Sequence, residues 1–254
     1  MGVPEQGFVS VIIVYTDLQK LEEAKLWLQK QTVWESVELV ALDNRENVFS
    51  SAAKALNYGA EMSKGEYLVF MHQDVYLWDL NAIDTYRTYL QVHPDTIIGA
   101  AGKPVDGEMI TDLWETQEKM ERGCRANGKV YEVETLDECM IAMTQQTWRR
   151  LLFDEKCCNN WHGYAMDICM ANTLAGGQNM MVPLKICHDS LGNSGNKGFR
   201  DTVGCLIRKY RKTDIKQIYG TCIQIKCNLR SYYWYRFKEM VKDILKKHGY
   251  RYFR

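Results

Sequence analysis

Residues Lys64–Val75, KGEYLVFMHQDV, carry the reading on which the rest of the chain depends. Lys64-Gly65-Glu66 reads as a turn, and Tyr67-Leu68-Val69-Phe70-Met71 is an unbroken apolar run of strand length. A strand apolar on both faces belongs in a parallel sheet covered by helices on both sides. His72, Gln73 and Asp74 follow at its carboxyl end, where ligands bind in open α/β sheets. Asp74 is therefore placed as a site residue; its other reading is a turn cap.

Upstream, Phe8–Tyr15 reads as a first buried strand and Val37–Leu42 as a second, ending in Asp43-Asn44. Between them Leu21–Lys30 carries Leu21, Ala24 and Leu28 at helical spacing, and Ser50–Met62 is a second helix. Strand, helix, strand, helix, strand predicts a βαβαβ start with right-handed crossovers. No GxGxxG follows the first strand and no GxxxxGK[ST] occurs, which argues against a dinucleotide fold and a P-loop. Polar residues stand at the strand ends instead: Tyr15-Thr16-Asp17, Asp43-Asn44-Arg45 and His72-Gln73-Asp74. Three such ends side by side form one crevice.

The 254 residues suit one large α/β domain, alone or with an extension. Net charge is zero but unevenly spread: from Cys205 onward there are fourteen Lys/Arg and three Asp/Glu. An acidic body with a basic tail points to an anionic partner for the tail. The nine Cys follow no metal-ligand spacing; Cys157-Cys158 are vicinal, and Cys139, Cys169 and Cys222 lie in apolar surroundings as small core residues. With no signal peptide at the start, reduced thiols and a cytoplasmic protein are expected. No apolar run is long enough to span a bilayer.

Downstream, Asn81–Val92 reads as a helix, Asp95–Ala101 as a strand and Gly102–Gly107 as a loop. Val130–Leu136 leads to Asp137-Glu138 and the apolar Cys139–Met143. Asp167–Ala175 is a helix, Met180–Cys187 a strand with His188 at its end, and Leu191–Arg200 a Gly/Asn-rich loop. Ser231–Lys247 is amphipathic: Trp234, Phe237, Met240, Val241, Ile244 and Leu245 recur at helical spacing, with Arg236, Lys238, Lys242, Lys246 and Lys247 between them, and Tyr250 and Tyr252 follow. Such a helix lies in a membrane surface, peripheral at its inner face, or packs its stripe on the body or on a second copy. Nothing resembles a nucleic-acid module.

The segments SVIIVYTD, LVALDN, AAKALNYGAEMSKGEYLVFMHQDV, TLDECMIA, FDEK, WHGYAMDIC and ICHDS together resemble a bacterial branch of the inverting family-2 glycosyltransferases, over roughly Val9–Gly195. The resemblance implies the GT-A fold: a Rossmann-like, mixed but mainly parallel sheet flanked by helices. Residues 1–200 would form the transferase domain, with the donor half at about 1–103 and the acceptor half at about 104–200. Residues 201–254 would be a basic, aromatic helical extension. It further implies inverting, metal-dependent transfer from a nucleotide-diphosphate sugar, a UDP-sugar, to a saccharide or lipid-linked saccharide, in cell-surface polysaccharide or glycoconjugate synthesis. Mn²⁺ or Mg²⁺ would be the cofactor.

Roles carry over by position. Tyr15 and Thr16 match residues beside the base and ribose, and Asp43 the acidic residue that pairs with uracil. Arg45 and Lys54 would reach ribose or phosphate, although Lys54 also reads as an ordinary surface charge. Asp74 matches the last acidic position of the Asp-x-Asp motif, with Gln73 before it. His72 stands at the first position, a departure from the pattern: one carboxylate with the substrate's phosphates and waters can suffice for Mg²⁺, and His72 would instead suit Mn²⁺ or be an ordinary hydrogen-bonded strand-end residue. His188 resembles a third metal ligand. Asp137 and Glu138 would hold acceptor hydroxyls, or form a solvated turn, and Met109–Asn127 would be a helix or loop over the acceptor. The family's Glu-Asp base pair is replaced by Tyr164-Ala165, which leaves Asp167 as candidate base with His162 and Asp154 as alternatives. Trp161 would stack on a sugar face or be core, and Lys197 and Arg200 would close over the donor phosphates. The missing pair keeps open a non-catalytic nucleotide- or sugar-binding module. A nucleotidyltransferase would need a Gly-rich basic loop that Val14-Tyr15-Thr16-Asp17 lacks.

Overall fold

The computed structural model describes residues 4–115, 119–120, 123–190, 197–221 and 223–247. The expectations for Cys222, for residues 191–196, for Tyr250 and Tyr252, and for the side chains of Leu245, Lys246 and Lys247 lie outside what is described.

The first half follows the sequence reading: β1 (Glu5–Tyr15), α1 (Leu18–Gln29), β2 (Val37–Asp43), α2 (Ala52–Met62) and β3 (Gly65–Met71). β1 lies between β2 and β3, parallel to both. Successive side chains of a strand point to opposite faces. Val9, Val11, Ile13, Tyr67, Val69 and Met71 enter one core, while Ile12, Leu68 and Phe70 enter the other. The Asp17 side chain caps α1 by accepting from the backbone of Gln19 and Lys20, and Ser51 caps α2 by accepting from Lys54.

Next come β4 (Val75–Leu77), α3 (Ala82–Val92), β5 (Ile97–Gly99), β6 (Ala101–Lys103), β7 (Ile110–Thr111), β8 (Tyr131–Glu132) and β9 (Thr135–Leu136). They are followed by β10 (Met140–Thr144), α4 (Gln145–Leu151), α5 (Tyr164–Leu174), β11 (Asn179–Met181) and β12 (Ile186–His188). The chain closes with α6 (Lys197–Tyr210), β13 (Gln217–Tyr219), β14 (Gln224–Lys226) and α7 (Leu229–Lys247). The main sheet runs β2-β1-β3-β10-β5-β11-β8. It is parallel at its β2-β1-β3 core and antiparallel where β10 inserts between β3 and β5. This is the mixed α/β architecture expected.

Several boundaries differ. Met180–Cys187 is not one strand, because Pro183 has no N–H to give a ladder. β11 stays in the main sheet, while β12 leaves it and pairs with β4, setting His188 opposite Val75. Asp95–Ala101 likewise divides at Ala100, so that β5 and β6 serve different sheets. The described part of Met109–Asn127 holds β7 and isolated bridges rather than a helix. α5 starts at Tyr164, ahead of the expected Asp167, because Gly163 turns the chain at φ 87°. A Cβ at Gly163 would meet Thr202 Cγ2 at 2.4 Å, so glycine alone fits. Lys197 and Arg200 are not loop residues: both lie in α6, and Arg200 Nε pairs with Glu239 Oε2 of α7 at 2.8 Å.

Reduced thiols were expected, yet Cys157 and Cys205 form a disulfide. α6 lays Cys205 against the loop before α5, closing a separation of 48 residues that sequence spacing does not reveal. Cys139 and Cys169 form no disulfide and are buried, as expected. Val203, Leu206, Ile207, Tyr210 and Tyr235 of α6 and α7 share a core with α2 and α5. Among the described residues no helix is long and apolar enough to cross a membrane.

Candidate functional site

A cavity of about 380 Å³ opens at the carboxyl ends of β1, β2 and β3. Val14 and Thr16, Asn44 and Asn47, and the run Phe70–Asp74 form one side. Ala52 and Leu56 of α2 form the floor, and Trp161, His162 and Tyr164 the opposite wall. The three strand ends thus converge as predicted, but at the ends of β1 and β2 only alternate residues reach the cavity. Thr16 and Asn44 line it, while Tyr15 and Asp43, paired in register, do not.

Asp43 is instead held by Arg45: Nε lies 3.0 Å from both carboxylate oxygens and Nη2 lies 2.6 Å from Oδ2. These hydrogen bonds hold its carboxyl well below the usual range. Arg45 also sits over the Tyr15 ring, 5.8 Å from its centre. The three residues make an exposed rim beside the cavity. Lys54 is exposed too, and its Nζ reaches Ser50 Oγ at 3.1 Å. Gln73 ties β1 to β3: its Oε1 accepts from the backbone N–H groups of Thr16 at 2.8 Å and Asp17 at 2.9 Å. It fixes Thr16 in the cavity wall.

Ligand atoms of His72, Asp74 and His188 all lie within 4.8 Å of one another. The β12–β4 pairing creates this group, since Asp74 directly precedes β4 and His188 ends β12. His72 Nδ1 is 3.4 Å from His188 Nε2, which is 3.6 Å from Asp74 Oδ1. Behind them the Tyr164 hydroxyl donates to the Glu138 carbonyl at 3.0 Å and lies 3.0 Å from His72 Nε2. A hydroxyl has one proton, so His72 Nε2–H must donate to it, and the Nδ1 lone pair faces the cluster. Burial, reinforced by His188, lowers the His72 pKa and keeps the ring neutral, the state a metal ligand needs. Two imidazoles and a carboxylate at this spacing fit a divalent cation, and the nitrogen donors suit Mn²⁺ better than Mg²⁺. Lys20 flanks the group, with Nζ 3.4 Å from Asp74 Oδ2 and 3.6 Å from Asp189 Oδ2. Asp137, Cys139 and His188 form a second, overlapping triad of the same span, but Asp137 Oδ1 is already used by the Cys139 N–H at 3.0 Å.

On the far wall His162 Nδ1 lies 3.6 Å from Glu138 Oε2, and Glu138 Oε1 accepts from the Gly163 N–H. Trp161 keeps an exposed ring at the mouth. Asp167 is not there. Its carboxylate is buried on the side of α5 that meets α6, where Lys209 Nζ lies 2.7 Å from Oδ1 and the Tyr210 hydroxyl donates to Oδ1 at 2.7 Å. Asp154 joins the same cluster, with Lys209 Nζ 2.8 Å from Oδ2. Neither lines the cavity, because both carboxylates are drawn to Lys209 of α6. Sequence reasoning missed Lys20 and Asn47 as neighbours of the site, and named Asn44 at its strand end without giving it a role. It also missed the second role of Tyr164, for which a polar hydroxyl in an apolar helix was the available signal.

A parallel three-stranded core continued by an antiparallel fourth strand, with a His-x-Asp cluster at the strand ends, defines a GT-A protein. The chain belongs to a glycosyltransferase-like family, whose model, described as "Glycosyltransferase like family", matches residues 10–190. Among solved structures it is similar to GalNAc-T7 with UDP, GalNAc and Mn²⁺, at TM-score 0.56 and 13% identity, over 78% of this chain and 47% of that one. It is also similar to the mannosyltransferase PcManGT of Pyrobaculum calidifontis in complex with GDP-Man and Mn²⁺, at TM-score 0.53 and 14% identity, over 78% of this chain and 61% of that one. The chain therefore spans about half to three-fifths of the length of these two proteins. No curated protein matches it.

Proposed function

We propose that the chain transfers a sugar from a nucleotide-diphosphate donor, a UDP-sugar, to a hydroxyl of a saccharide or lipid-linked saccharide, with inversion. The observation that carries this is the His72–Asp74–His188 cluster at the strand-end cavity of a glycosyltransferase-family chain. The ligands of the two similar structures, UDP and GDP-Man each with Mn²⁺, support the donor class. His72, Asp74 and His188 would hold the cation, which neutralises the diphosphate as it leaves. Thr16, Asn44 and Asn47 offer hydrogen bonds to the nucleoside, and the Asp43–Arg45 pair sets the rim on which the base edge would rest. Trp161 offers its ring to a sugar face.

An inverting transfer needs a base on the acceptor side. His162 is the candidate to take the acceptor proton: it lines the cavity, and Glu138 Oε2 lies 3.6 Å from its Nδ1. The attack forms the new glycosidic bond as the bond to the diphosphate breaks. This replaces Asp167, which serves the α5–α6 contact. A role in cell-surface polysaccharide or glycoconjugate synthesis fits an acceptor of this class.

The second reading, a non-catalytic sugar-nucleotide module, draws on the absence of a carboxylate base in the described cavity wall. A panel of nucleotide sugars, with and without Mn²⁺, separates the two. The transferase reading expects joint thermal stabilisation by UDP and Mn²⁺ and release of UDP from at least one donor. Stabilisation without turnover supports the module, and no stabilisation by any nucleotide refutes both.

A further inference from the structure

α7 packs on α6 through one side and turns an apolar arc outward. Tyr235 and Glu239 are buried against α6, where Arg200 pairs with Glu239 and Arg236 Nη1 lies 2.8 Å from Asp201 Oδ1. Arg208 of α6 stands over the Tyr232 ring at 5.4 Å. On the opposite side Tyr233, Trp234, Phe237 and Met240 are each more than half exposed, and Ile244 nearly so. At 3.6 residues per turn these positions fall on one continuous arc. Trp234 and Phe237 stack with ring centres 6.0 Å apart. A stripe of this size on a surface marks an interaction site.

We propose that this arc seats α7 on an anionic bilayer surface, with the helix lying in the interface. Charge decides the occupant. Lys238 edges the arc on one side, and its ammonium rests 5.3 Å from the Trp234 ring centre, so its stem covers apolar surface while the charge stays at the rim. On the other side a cleft of about 330 Å³ between α6 and α7 is lined by Lys197, by the Arg200–Glu239 and Arg236–Asp201 pairs, and by Met240 and Ile244. Lys238 and Lys197 thus stand at the two edges of the apolar arc, where headgroup phosphates would be. Tyr and Trp are the side chains that favour that depth. A twofold pairing of α7 with a second copy would set these cationic edges against each other, since a symmetric interface repeats the same patch on both subunits. Glu239 does not answer them, since it is already held by Arg200 and Lys242. The inference stands apart from the transferase reading, because it rests on α6 and α7 and not on the strand-end cavity.

The test is sedimentation of the full chain with vesicles of phosphatidylcholine, alone or with phosphatidylglycerol added. Binding to the anionic vesicles at low salt, weakened by high salt, is expected. Both W234S/F237S/I244S and R230E/K238E, in which Arg230 is an exposed residue of the first turn of α7, should bind at least about tenfold more weakly with unchanged thermal melting, as expected for exposed positions. Two results would overturn the proposal: a full chain that stays in the supernatant at low salt, or variants that bind as the parent does. A concentration-dependent dimer that W234S/F237S/I244S abolishes, seen without vesicle binding, would assign the arc to a second copy instead.

Discussion

Tyr164 joins the two halves of the site: its hydroxyl donates to the Glu138 carbonyl at 3.0 Å and accepts from His72 Nε2 at 3.0 Å. One buried hydroxyl therefore fixes which nitrogen of His72 faces the cation position. Partners behind a ligating histidine are worth roughly 10- to 100-fold in metal affinity. Tyr164→Phe should weaken Mn²⁺-dependent UDP binding by about that factor, measured by calorimetry. Unchanged affinity would remove His72 from the ligand set.

Asp74 is the one carboxylate among the three clustered ligands. Asp74→Asn should abolish the Mn²⁺ dependence of UDP binding while leaving the thermal unfolding midpoint close to the parent's. If the variant binds UDP and Mn²⁺ as before, the cluster is not the metal site.

The Asp154–Lys209–Asp167 cluster predicts stability effects rather than catalytic ones. Lys209 keeps about a third of its side chain exposed (32%), whereas Asp167 keeps 3%. Lys209→Met strands a buried carboxylate and should cost about 3 kcal/mol, near the lower end for breaking a buried pair. The two acids should respond to pH with opposite signs. Burial alone would raise Asp154, but the Lys209 hydrogen bond holds its pKa below the ordinary value of 3.8. Its contribution is therefore present above that value and lost as the pH falls through the lowered one. Burial lifts Asp167 above 3.8 despite Lys209, so the folded state takes up its proton first and stability gains as the pH falls. In chemical denaturation across the acid range, Asp154→Asn should flatten the loss of stability and Asp167→Asn should steepen it. Identical slopes would refute the assignment.

What the sequence made legible follows from local order. Tyr67–Met71 is apolar at every position, so a strand covered on both faces was readable, and with it the parallel β2-β1-β3 core and the crevice at its end. The side to which each residue turns was not. Tyr15 and Asp43 are one position out of phase with Thr16 and Asn44, and a one-residue step flips a strand side chain to the other face. Pro183 was a visible break, but the pairing of β12 with β4 is a tertiary choice that no spacing encodes. Asp167 looked like a base because its partner Lys209 is 42 residues away, beyond any helical or hairpin reach. Cys157 and Cys205 met for the same reason. The stripe on α7 was readable from its period, but only packing against α6 reveals that it faces outward.

The cavity wall offers His162 as the group that takes the acceptor proton, with Glu138 behind it at 3.6 Å. His162→Gln keeps a polar side chain of similar reach but cannot act as a base. It should lower turnover by about 10²-fold or more while UDP affinity in the presence of Mn²⁺ stays within twofold or so of the parent. Glu138→Gln retains an oxygen for the Gly163 N–H yet loses the charge that favours a protonated imidazole, so it should lower kcat by a smaller factor at similar KM. Asp167→Asn is the discriminating control: its carboxylate is enclosed by Lys209 and Tyr210 away from the cavity, and turnover per folded molecule should survive. If Asp167→Asn is the variant that loses turnover and His162→Gln the one that keeps it, α5 must rearrange when the acceptor binds, and the base belongs to the helix after all.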